Sequence, residues 1–149
     1  MVATDFGKDF YWGVSTSAYQ IEGAFNEHGK GSSIWDVFSN TPRKIYGSQN
    51  GNNAADFYNR FREDILLLKK LGIRHFRFSI SWSRILPNGT GHINEKGIQY
   101  YHQLLDCCLE NDIVPWVTLY HWDLTYKLEK KGGWTNRTIL NWFKEYVEI

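Results

Sequence analysis

At 149 residues the chain is about one domain's worth, long enough to bury a sizeable core. Lys plus Arg number 17 and Asp plus Glu 16, a formal net charge of +1 with the signs interspersed, which argues against a nucleic-acid footprint or an anionic-membrane surface. No stretch nears the ~20 apolar residues of a membrane span, and MVATDFGKDFYWG shows no basic region followed by an apolar one, so a soluble, cytoplasmic protein is expected.

The first strand is FYWGVS, residues 10–15, followed by the polar stretch TSAYQIEG. Residues 24–53, rich in Gly, Ser and Asn, read as a long loop. Tyr58, Phe61, Ile65 and Leu68 recur at spacings of three and four, which predicts a helix over 56–71 stopped by Gly72. IRHFRFSISW, residues 73–82, predicts a second strand. Phe76, Phe78 and Ile80 share one face of it, and His75, Arg77, Ser79 and Ser81 share the other.

Pro87, Asn88 and Gly89 mark a turn. Ile98, Tyr101, Leu105 and Cys108 then predict a helix over 94–110. Adjacent Cys107 and Cys108 cannot pair with each other without strain and read as small reduced helix residues. Residues 113–120 form a third strand, apolar on both faces, the pattern of a parallel strand covered on both sides. After the loop KLEKKGGW, Ile139, Trp142, Phe143 and Tyr146 predict a third helix starting near Thr135 or Asn136. Strands alternating with crossover helices imply a parallel α/β sheet within one domain over 1–149. No phosphate loop or glycine fingerprint follows the first strand, and the five histidines show no metal-ligand spacing, so neither a cofactor nor a metal is expected.

In parallel α/β proteins functional groups gather beyond the carboxyl ends of the strands. That rule selects Gln20 after the first strand, Arg77 and Trp82 late in the second, and His121 with Trp122 after the third. The third strand itself ends in Tyr120-His121-Trp122-Asp123, a run suited to holding something polar. A carboxamide, an imidazole and an indole N–H beside an apolar face are what gripping vicinal hydroxyls and stacking a sugar ring require. A strand-end histidine is also a common structural group; the shared position after successive strands is what favours a site. Arg77 faces the enclosed side of the sheet, where a guanidinium needs an anion. That anion is either a structural Asp or Glu, or a catalytic carboxylate kept ionised by the charge beside it.

FYWGVSTSAYQIEGA, FRFSISWSRILP, VTLYHWDL and KGGWTNR, in that order, resemble the amino-terminal part of a family 1 glycoside hydrolase, the retaining β-glucosidases and their relatives. The likeness covers essentially the whole chain. It implies the first three strand–helix units of a (β/α)8 TIM barrel, left incomplete in this chain, with a β-glycoside or small oligosaccharide as substrate. It further implies that Gln20, His121 and Trp122 hydrogen-bond the sugar in the glycone subsite and that Arg77 contacts the nucleophile glutamate. Thr125 stands where the family usually has Pro, and His28 and Ser32 replace a commoner Asp and Pro; neither departure touches the expected sugar contacts.

Retaining glycosidases work with two carboxylates ~5–5.5 Å apart. The resemblance places one in an Asn-Glu-Pro motif and the other in a Thr-Glu-Asn-Gly motif, and neither occurs in these 149 residues. The expected activity is therefore that of a β-glycosidase, most simply a β-glucosidase, when complete, the isolated chain being inactive. Two other readings stand beside it: a sugar-binding pseudoenzyme, and a half-barrel that assembles with a complementary chain or with copies of itself.

Overall fold

The computed structural model describes residues 6–149; residues 1–5, part of the stretch read as lacking a leader, lie outside the described residues. Three parallel strands, β1 (Gly13–Ser15), β2 (His75–Ser79) and β3 (Val114–Thr118), form one sheet in the order β1-β2-β3. The register sets Ser15 beside Arg77 and Arg77 beside Trp116. The connections run through α1 (Ala18–Ile21), α2 (Ile34–Asn40), α3 (Phe57–Lys70), α4 (Trp82–Ile85) and α5 (Glu95–Glu110). After β3 come α6 (Tyr126–Glu129) and α7 (Ile139–Val147).

The core lies on the helix side of the sheet. Phe76 and Phe78 of β2 meet Phe57, Phe61 and Ile65 of α3 and Tyr100, Tyr101, Leu104 and Cys108 of α5. The buried stripe of α5 is rotated about one residue from the expected one, with Ile98 and Leu105 only partly covered. Gly97 explains the rotation: a Cβ there would collide with the Arg84 carbonyl oxygen, so the helix rests its backbone against α4. Cys107 and Cys108 are buried and free, as expected.

Four local expectations are corrected. The first strand is ladder-paired only at 13–15, because β2 begins at His75 and offers nothing to residues 10–12. Phe10 and Trp12 instead cluster with Phe6. The stretch 24–53 is not all loop: α2 is set by a capping box, in which Asp36 N donates to Ser33 Oγ and Ser33 N to Asp36 Oδ2. The second strand stops at Ser79, three residues short of the expected end. The third helix begins at Ile139, after a short 3-10 turn over Gly133–Thr135.

Trp82 is therefore no strand-end ligand. It is fully buried, stacks on Tyr146 with centroids 4.8 Å apart at 8°, and donates its indole N–H to the Gly89 carbonyl at 2.9 Å. Every polar atom of that indole is spent inside the core. β3 departs in the opposite direction: among the described residues no strand lies on its outer edge, and Val114, Trp116 and Val117 are exposed rather than covered on both sides. Among the described residues no helix is long and apolar enough to cross a membrane.

Candidate active site

The parallel register brings the carboxyl ends of all three strands to one end of the sheet, and with them Gln20, Arg77, His121 and Trp122. Gln20 lies on α1, one turn past β1, with its side chain exposed. Arg77 projects from β2 on the face opposite Phe76 and Phe78, as the period of two requires. Its Nε donates to Thr118 Oγ1 at 2.6 Å on β3, and Nη1 donates to the Thr16 carbonyl at 3.1 Å beyond β1. The guanidinium thus ties the ends of all three strands together.

Nη2 of Arg77 lies 3.1 Å from His121 Nδ1. Arginine can only donate, so Nδ1 accepts and the ring proton sits on Nε2, which is left free to donate. Burial pushes the His121 pKa down, and the Arg77 charge pushes it the same way. The imidazole stays neutral below its ordinary titration range. We expect acidification to protonate Nδ1 and break the Arg77 contact; a ring 15N titration of His121 checks this, and in an Arg77→Met variant its midpoint should rise.

The acceptors around Arg77 are all neutral, and among the described residues no carboxylate pairs with it. Of the two partners the sequence left open, a structural Asp or Glu within the described residues is not the one found. Trp122 is 71% exposed and held at φ +66°, a left-handed backbone that a bulky residue adopts only when its neighbours impose it. The neighbours are visible. Leu124 O accepts from Ile34 N at 2.8 Å and Tyr126 N donates to Ser32 O at 2.8 Å, stitching the turn after β3 to the segment ahead of α2. The indole face is consequently presented outward.

Two residues past Gln20, and again two past His121, the chain sends a carboxyl inward. Glu22 accepts from Arg84 Nε at 3.0 Å and from Tyr101 Oη at 2.6 Å. Arg84 is fully buried and lies 4.2 Å above the Tyr58 ring. Asp123 is only 2% exposed, so it does not face a ligand with His121 and Trp122 as the run 120–123 suggested. Burial raises its pKa to about 7, and the Glu22 charge adds to the rise, partly offset by its own backbone amide, Ser81 and Lys30. Sequence reasoning missed this cluster. The signals present were the S-x-x-D capping box at Ser33–Asp36 and an Arg84 set between Trp82 and the apolar pair Ile85-Leu86.

The model of glycosyl hydrolase family 1 matches residues 2–149. The chain belongs to glycosyl hydrolase family 1. β-Glucosidase A of Acetivibrio thermocellus is 56% identical over 144 residues, covering 97% of this chain and 32% of that protein. β-Glucosidase A of Thermotoga maritima is 51% identical over 144 residues. The solved structure of the family 1 β-glucosidase from Thermotoga maritima superposes with a TM-score of 0.90 at 52% identity, over 92% of this chain and 32% of that one. The Thermotoga maritima enzyme has also been solved in complex with deoxynojirimycin. The chain spans about a third of the length of these family 1 relatives. Its open three-stranded sheet is accordingly part of a (β/α)8 barrel.

Proposed function

We propose that the complete protein is a retaining β-glucosidase. It hydrolyses terminal non-reducing β-linked sugars by double displacement, and this chain supplies part of its glycone subsite. Gln20, His121 and Trp122 hydrogen-bond the sugar hydroxyls, and Arg77 contacts the nucleophilic carboxylate. The observation that carries the reading is Arg77. At the carboxyl end of the sheet it spends its other donors on neutral groups while its positive charge remains unmatched among the described residues. An ionised carboxylate arriving there from the remaining barrel strands would be stabilised by that charge. His121 Nε2–H, oriented by the same arginine, supplies a neutral donor beside it.

The acid/base and the nucleophile come from the strands that complete the barrel, whether on the same polypeptide or on a complementary one. The 149-residue chain by itself should therefore release no chromophore from p-nitrophenyl β-D-glucoside, and measurable turnover by the pure chain would defeat the reading. The deciding experiment uses the complete protein: it should cleave that glucoside, with 1H NMR showing the β-anomer of glucose first. Gln20→Ala and His121→Ala should each lower kcat/KM by about 10–100-fold, the loss of one or two charge-free hydrogen bonds in a buried site. Inversion of configuration, or undiminished activity in both variants, would refute the assignment.

A further inference from the structure

Glu22, Lys30, Ser33, Asp36, Ser81 and Asp123 wall a cavity of about 10 Å³, room for about one water molecule. The cavity is unusual for its charge count. Its wall carries three carboxyls, Glu22, Asp36 and Asp123, and one cation, Lys30, with Arg84 paired to Glu22 from outside the wall; each cation is already engaged. Arg84 holds Glu22 at 3.0 Å, and Lys30 holds Asp36 at 2.6 Å with both side chains nearly covered. Asp123 is the carboxyl left over, and its Oδ1 is buried with no hydrogen-bond partner in the protein. An ionised third carboxylate in that volume would face a cation, Lys30, that Asp36 already engages.

The cluster also sits where position matters. Glu22 follows Gln20 by two residues and Asp123 follows His121 by two, so both sugar-gripping segments are rooted in this one cavity. We propose that Asp123 is a positioning residue that sets the turn carrying His121 and Trp122 only while its carboxyl is neutral. Ionisation drives the carboxylate away from Glu22 and Asp36, and with it the strained Trp122 backbone and the His121 ring. The groups that face Asp123 are Glu22 from the end of α1, Lys30 and Asp36 from the segment around α2, Ser81 ahead of α4 and Tyr146 from α7, while Arg84 from α4 and Tyr101 from α5 meet it only through Glu22. Tyr120 faces it from its own turn. Burial holds the Tyr101 and Tyr146 phenols well above the ordinary range, with Glu22 adding to the rise at both and Asp123 at Tyr146. Those two phenols stay neutral where the carboxyl titrates, and the transition belongs to Asp123.

The inference rests on the reading of Gln20, His121 and Trp122 as sugar contacts, and its test keeps the two apart. D-Glucose binding to the complete protein is measured across the neutral range, alongside the His121 ring 15N shift. With binding confined to the neutral form, the wild-type dissociation constant should rise on the order of tenfold or more between about pH 6 and about pH 8.5. His121 should show a second inflection over the same range. In Asp123→Asn, which cannot ionise, both should be flat there, whatever the absolute affinity. Parallel profiles in the two proteins would overturn the proposal.

If the asparagine variant does not fold, the wild-type Asp123 carboxyl 13C resonance decides. A midpoint near neutrality shared with His121 supports the proposal; a carboxylate already ionised at about pH 5 overturns it. A complete protein that binds no glucose at any pH removes the glycosidase reading instead, and the paired Asp123 and His121 resonances still decide this one.

Discussion

Arg77→Met in the complete protein should lower kcat/KM by about 10²–10³-fold, the scale seen when one preorganised electrostatic contact is removed from an active site. Methionine keeps most of the stem and the packing against β1 and β3 while removing the charge. The donor interactions with Thr118, Thr16 and His121 go with it. A purely structural arginine could also reduce activity, so the pH profile is the discriminating measurement. A carboxylate next to an arginine has its pKa lowered by roughly one to three pH units. Without Arg77 the nucleophile should titrate higher, and the acidic limb of kcat/KM should move up accordingly. A variant with reduced activity but an unmoved acidic limb would mean that Arg77 serves only to hold the strand ends together.

The second large effect concerns stability. Arg84→Met removes the cation paired with buried Glu22 and should cost about 3–5 kcal/mol, the usual penalty for stranding a buried charge. Against a typical total of about 5–15 kcal/mol, that is enough to decide whether the protein is folded at physiological temperature. The double variant Glu22→Leu, Arg84→Met strands no charge and should recover much of the loss, because an apolar pair of similar volume often matches a buried ion pair. Urea midpoints of the complete protein check both. A single-variant loss under about 1 kcal/mol would mean that water reaches Glu22 and replaces the guanidinium. The open edges of β1 and β3 make a related point: bare strand edges template association. The 149-residue chain alone should aggregate rather than melt as a sharp, reversible monomer, and size-exclusion chromatography with thermal scanning reads the outcome directly.

The alternation of strand and helix was legible in the sequence because it is local. Phe61 and Ile65 repeat with the helical period, and Phe76 and Phe78 with the period of a strand, wherever the chain is placed. The same period of two put Arg77 on the face opposite the phenylalanines, and so raised the question of which anion its charge meets. What the local pattern could not carry was the fate of residues whose partners are distant in the chain. Trp82 looked like a strand-end ligand, yet it is a core residue because Tyr146 of α7, far along the sequence, comes to lie flat on it. Asp123 sits in the same four-residue run as His121 and Trp122, but the left-handed turn at Trp122 aims them in opposite directions.

The three strands, the helices α3, α5 and α7 and the order of the candidate site residues were thus in the sequence by itself, because they follow from side-chain periodicity and from which end of a parallel strand faces the site. Only the tertiary structure decided which of those side chains meet. The His121 tautomer depends on a contact across 44 residues to Arg77, and the burial of Glu22 depends on Tyr101, 79 residues away. A hydrogen bond is set by a few tenths of an ångström and by what excludes water around it. Neither is a property of residues that are neighbours along the chain.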